Sequence, residues 1–184
     1  TLDFIIQFVD KCVQQYAKSK WNGDIVEIVE LMLPDDTTVT KLGNQTLWNL
    51  YRGTSGMSAP HLLECIHMAL EGYLLQATKE KLIEEVRRYL QTIICHSQSL
   101  SLMSIVASLV VAYPDAFFDE AIIMTSNLQF LKYDLMRYTS EINSNMIEFA
   151  FRRNPNMLTE RKNSNALKHR KQHLETLLFN IQAT

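Results

Sequence analysis

Residues Leu100–Ala112 form the longest apolar run in the chain, interrupted only by Ser101, Ser104 and Ser108. A membrane span needs roughly 20 apolar residues, so this shorter run predicts a helix buried in a protein core. Ser99 or Ser101 is placed to cap its start, and Tyr113-Pro114-Asp115 stops it. No basic stretch leading into an apolar one marks a signal peptide.

Helical periodicity runs through most of the chain. Leu2, Ile5, Val9, Cys12, Val13 and Tyr16 recur at three- and four-residue steps, the apolar face of an amphipathic helix. Leu62, Ile66, Ala69, Leu70 and Tyr73 predict the inward stripe of a central helix, widened by Leu63, Leu74 and Leu75. Thr78 is expected to cap the next helix, with Leu82, Val86, Tyr89, Leu90 and Ile93 inward. Its polar face carries Glu84 and Arg88, an i,i+4 pair. Phe117–Ser126 reads as a short helix, and Leu128, Leu131, Leu135, Tyr138, Ile142 and Met146 form the longest clean stripe. A last helix is expected from about Ala166 to Gln182, with Leu167, Leu174, Leu177, Leu178, Phe179 and Ile181 inward.

One stretch departs from this pattern. Ile25–Leu33 suits either a buried helix or a strand, but Pro34-Asp35-Asp36-Thr37 is turn chemistry and Thr38-Val39-Thr40 is β-branched. The reading adopted is a small β-hairpin near residues 25–42, covered by helices. One helical turn follows around Leu47–Tyr51, then a Gly/Ser/Thr loop up to Pro60. The expected fold is mainly α, an irregular antiparallel helical array, solenoid-like at most, because no residue signature recurs at a fixed period. Residues 1–184 are expected to form a single helical domain, and the absence of an initial Met suggests a fragment of a larger protein.

No motif carries evident chemistry. Neither phosphate-loop pattern is present, and Gly53-Thr54-Ser55-Gly56 lacks the spacing of a nucleophile elbow. His61, Glu64 and His67 diverge, since a six-residue step leaves His67 about 120° from His61 around a helix. No catalytic residue, metal site or cofactor is therefore expected. His67 and Glu71, one turn apart, suit an acid–base pair or a plain i,i+4 contact. Asp134, Arg137 and Glu141 read as an ion-pair ladder. Cys12, Cys65 and Cys95 fit no disulfide framework, lie on or beside apolar helix faces, and point to a reducing, cytoplasmic setting.

Two features are candidates for partner binding. Trp48, Tyr51 and Arg52 form an aromatic–guanidinium cluster suited to gripping a protein partner, or to plugging the hairpin onto the helices. The second is charge. The formal net charge of −2 conceals a split. Residues 1–151 hold eleven basic and eighteen acidic side chains, a net −7, whereas the helical segment 152–184 is +5. Its basic residues are Arg152, Arg153, Arg161, Lys162, Lys168, Arg170 and Lys171. This segment can dock on the acidic body or attract nucleic acid, though it lacks interleaved aromatics for base stacking.

Five blocks carry a family resemblance: Leu47-Trp48-x-Leu50-Tyr51-Arg52-Gly53, Ala69-Leu70-Glu71-x-Tyr73-Leu74-Leu75, Ala112-Tyr113-Pro114, Tyr133-Asp134-Leu135-x-Arg137-x3-Glu141 and His169-Arg170-Lys171-x-His173-Leu174-Glu175. In order and spacing this resembles a helical region of very large bacterial P-loop ATPases of STAND or NACHT type, some linked to phage defence. The resemblance implies a non-catalytic scaffold or sensor region, with the nucleotide site elsewhere in the protein. The expected function is thus a helical protein-interaction module that contacts a protein or a neighbouring domain, with nucleic-acid binding as the alternative and no membrane role.

Overall fold

The computed structural model describes residues 2–18, 25–53, 60–143 and 155–183. Among them are nine α-helices and one two-stranded antiparallel sheet. The elements in order are α1 (Leu2–Lys18), β1 (Glu27–Met32), β2 (Thr38–Gly43), α2 (Gln45–Trp48), α3 (His61–Lys79), α4 (Ile83–His96), α5 (Leu100–Ala112), α6 (Phe118–Thr125), α7 (Leu128–Asn143), α8 (Pro155–Ala166) and α9 (Leu174–Gln182). Two 3-10 turns, Asn49–Arg52 and Lys168–Lys171, follow α2 and α8.

The expected buried helix is α5. Every residue from Leu100 to Val111 is buried, and α2, α3, α4, α6, α9 and both 3-10 turns pack around it. Ser99 caps it by accepting a hydrogen bond from the Ser101 backbone N–H at 3.2 Å. The three serines within the apolar run are each bonded. Ser104 bonds back to the Ser101 carbonyl at 2.7 Å, while Ser101 and Ser108 bond side chains of α3. Hydroxyls in so dry a place must find such partners.

The hairpin forms as expected. Glu27 pairs with Gly43 and Met32 with Thr38. Asp35 Oδ1 accepts from Thr37 N at 3.1 Å and from Thr37 Oγ1 at 2.6 Å, which tightens the turn. Val29 and Leu31 face inward, and Leu42 N donates to Gln98 O at 2.7 Å, joining β2 to the α4–α5 connection. The unexpected inward residue is Lys41. Its ammonium donates to the carbonyls of Ile93 (3.3 Å), Ile94 (2.7 Å) and Ser97, and so caps the C-terminus of α4. Burial lowers its pKa to about 8.

Several expected faces are rotated. In α3 the buried residues are Leu63, Glu64, His67, Leu70, Glu71, Leu74, Ala77 and Thr78, whereas Leu62 and Tyr73 are exposed. Thr78 lies inside α3, donating to Leu74 O at 2.8 Å, and does not cap α4. At the start of α4, Leu82 is exposed and Arg87, not Arg88, pairs with Glu84. In α7, Phe130, Tyr133, Asp134 and Arg137 are buried, while Leu128, Leu135 and Ile142 are exposed. The expected last helix is divided into the 3-10 turn and α9, with Leu167 and Phe179 exposed. The cause is common to α3 and α7: buried polar side chains on one face have partners on other elements, and no local periodicity records that. Of the cysteines, Cys65 and Cys95 are exposed and Cys12 is partly buried; all three are free. The loop residues 54–59, together with Met146 at the end of the expected α7 stripe, lie outside the described residues.

Close packing makes Gly43 sensitive, because a Cβ there would collide with Leu100 Cβ at the start of α5. Gly43→Ala is expected to destabilise the protein by about 2 kcal/mol through overpacking, as read by urea denaturation.

Candidate interaction site

Trp48, Tyr51 and Arg52 are brought together, but in the interior. Asn44 Oδ1 accepts from Leu47 N at 3.0 Å and starts α2, while Gly53 at φ 60° ends the 3-10 turn. This short bent segment places Trp48 against Phe130 and Tyr133 of α7, both ring centroids 5.7 Å away. All three residues are at most 2% exposed. The expectation that they face a partner is therefore corrected: they form the plug that packs the segment onto α7.

Arg52 belongs to a buried charge network. Its Nε bonds Glu141 of α7, and its Nη2 donates to Asn165 Oδ1 of α8 at 2.6 Å. Glu141 also accepts from Arg137 Nη1 at 3.0 Å, and Arg137 Nε donates to Asp134 Oδ1 at 2.7 Å. The expected ladder is present and goes further. Arg137 Nη2 donates to Gln172 O at 2.9 Å, and Asp134 Oδ2 accepts from Leu174 N at 2.9 Å, the first residue of α9. The ladder thus fastens the C-terminal segment to α7.

The basic segment is divided by the fold. Arg170 is buried, and its Nη2 donates to Glu71 Oε2 of α3 at 2.5 Å. Ser108 of α5 donates to the other Glu71 oxygen. The guanidinium of Arg170 also lies 5.2 Å from the centroid of the Tyr51 ring, whose phenol pKa is pushed up by burial. Lys162, Lys168 and Lys171 are exposed, Arg161 belongs to α8, and Arg152 and Arg153 lie outside the described residues. Arg170 is committed to the acidic body and is not available to nucleic acid.

His67 does not pair with Glu71. Its Nδ1 lies 2.7 Å from Leu63 O and its Nε2 lies 2.7 Å from Ser101 Oγ. A carbonyl only accepts, so Nδ1 carries the proton and Nε2 accepts from the Ser101 hydroxyl. Ser101 and His67 have the spacing of a nucleophile and its base, but both are fully buried. Burial lowers the His67 pKa to about 4.

The rotation of α3 creates a surface that periodicity did not reveal. Leu2, Phe4 and Phe8 of α1, Ile66 and Tyr73 of α3, and Tyr89 of α4 line an apolar cleft of about 530 Å³. Phe4 is 68% exposed and Tyr73 51%. Leu62, 64% exposed, lies one turn before Ile66 on α3. Among the described residues no group of three or more His, Cys, Asp or Glu is placed to hold a metal ion, and no helix is long and apolar enough to cross a membrane. No protein-family model matches the chain, and no curated protein is significantly similar to it.

Two outcomes are expected. Arg170→Met, which strands the Glu71 carboxylate, should cost about 3 kcal/mol, whereas Lys171→Met should change stability by less than about 0.5 kcal/mol, both read by chemical denaturation. His67 is neutral when folded and protonates more readily when unfolded. Its stabilising contribution is complete above pH 6.5 and is lost as pH falls through 4, about 3 kcal/mol in all. His67→Gln should flatten the denaturation midpoint between those pH values relative to the parent chain.

Proposed function

We propose that the protein is a non-catalytic helical scaffold, a module whose apolar cleft between α1 and α3 receives an amphipathic helix of a protein partner or neighbouring domain. The observation that carries this reading is the exposure of Phe4, Tyr73 and Leu62 while polar residues of the same helix α3 are buried. Helix-in-groove recognition needs an open apolar channel of this kind. Charge complementarity favours a helix with basic flanks, because residues 1–151 carry a net −7. The reading agrees with the resemblance to helical regions of bacterial STAND- or NACHT-type ATPases, where such a module would serve as a sensor or regulatory region within a larger cytoplasmic protein.

The test uses a short Leu/Lys amphipathic helical peptide as probe and fluorescence anisotropy as the readout. Saturable binding is expected, weakened about tenfold or more by Phe4→Ser/Tyr73→Ser with stability unchanged. Lack of binding, or binding insensitive to the double variant, would overturn the proposal. A concentration-dependent dimer abolished by the same double variant would assign the cleft to a second copy of the chain instead.

A further inference from the structure

A second cavity, of about 350 Å³, lies between α3, α5 and the C-terminal segment, apart from the apolar cleft. One part of its wall is polar and basic, formed by Lys79 at the end of α3 and by Lys168, His169 and His173. Gln172, Thr176 and Asn180 add neutral polar groups, and the apolar part includes Leu75, Val111, Tyr113 and Leu177. Among the described residues, His169 Nε2 and His173 Nδ1 are buried ring nitrogens with no hydrogen-bond partner. Buried polar atoms of this kind ordinarily have a partner, and both histidines line this cavity, whose space can hold one. Around this wall the positive charge is uneven. Arg52, Arg137 and Arg170 are engaged by Glu141, Asp134 and Glu71 in the network described above, but among the described residues no acidic one lines the cavity itself.

We propose that this cavity binds a small organic anion, its phosphate or carboxylate head held by Lys79, Lys168 and His169 and its apolar body resting on Leu75, Val111 and Leu177. A neutral imidazole in the Nε2–H form donates one hydrogen bond to the anionic head, and the two ammonium groups supply charge-assisted bonds. Both lysines are exposed, so their heads can move onto the ligand without unmaking the core. Burial, followed by the charges of Arg170, Arg52, Arg137 and Lys79, lowers the His169 pKa to about 3, and an anion seated beside the ring offsets that field.

The experiment titrates the intact chain at low salt with phenyl phosphate, benzoate and benzyl alcohol, followed by backbone amide NMR. Phenyl phosphate or benzoate is expected to bind saturably, with shifts concentrated in residues 75–79, 111–114 and 167–180, and benzyl alcohol about tenfold more weakly or not at all. Binding by the phosphate and not the carboxylate, or the reverse, identifies the head group. Lys79→Met/Lys168→Met should weaken the anion about tenfold, whereas Lys132→Met, away from the cavity, should not. Equal binding of benzyl alcohol, shifts centred elsewhere, or no saturable shift for either anion would overturn the proposal. The comparison between anion and alcohol needs no variant, so it stands even where a substitution disturbs folding.

Discussion

Glu71 sits in the middle of α3 and faces α5, the driest part of the molecule. A carboxylate taken from water to such a place requires a positive charge and hydrogen bonds, or it does not remain ionised. Ser108 supplies one bond, but no basic residue on α3 or α5 supplies the charge. It comes from Arg170, 99 residues further along the chain. The last part of the protein is therefore held over the α3–α5 pair, and the Arg137 network on α7 fixes the register in which it arrives. An ion pair of this kind adds little net stability compared with apolar packing, but its geometry admits few alternative arrangements. It specifies where the C-terminal segment goes.

The sequence discloses those parts of the fold that rest on local chemistry. The apolar run of α5, the Pro34–Thr37 turn and the inward Val86, Leu90 and Ile93 of α4 were all legible, because residue type and spacing decide them, and the α5 cap was narrowed to Ser99 or Ser101. The faces of α3 and α7 were not. Periodicity assigns polar residues to solvent, yet Glu71, His67, Asp134 and Arg137 go inward because distant elements satisfy them. Lys41 is the same case on a strand: nothing in Thr38–Gly43 indicates that three carbonyls of the α4 terminus await an ammonium. The aromatic–guanidinium cluster was legible as a cluster, but its burial depends on Glu141 and Asn165, far along the chain.

The charge split acquires a structural meaning from these contacts. Among the described residues of the +5 segment, Arg170 meets the acidic body. Arg170 is consumed by Glu71, and the neighbouring Lys168 and Lys171 remain at the surface. A 3-10 turn accounts for this division. With about three residues per turn, Lys168 and Lys171 share one side and Arg170 points to another. Had Ala166–Gln182 been one continuous α-helix, a single amphipathic face would have had to serve both Arg170 and the leucines of α9. The break lets the guanidinium enter the network and lets Leu174 and Leu177 pack separately.

The rotation that buries Glu64, His67 and Glu71 beside Leu63, Leu70 and Leu74 of α3 also leaves Leu62 and Tyr73 exposed. With the helix turned the other way, Leu62, Ile66 and Tyr73 would be covered, at roughly 25 cal/mol per Å² of apolar area removed from water. Glu64, His67 and Glu71 would then be solvated, and Arg170, Ser101 and Ser108 would lose their partners. Each stranded buried group costs on the order of 1–3 kcal/mol, and a charged one more. Leu63, Leu70 and Leu74 would lose their burial as well, so the observed orientation keeps both apolar and polar contacts while leaving an apolar cleft between α1 and α3. A surface left open for that reason follows from the core itself: Leu70 lines the cleft, and its neighbour Glu71 is held in the core by Arg170.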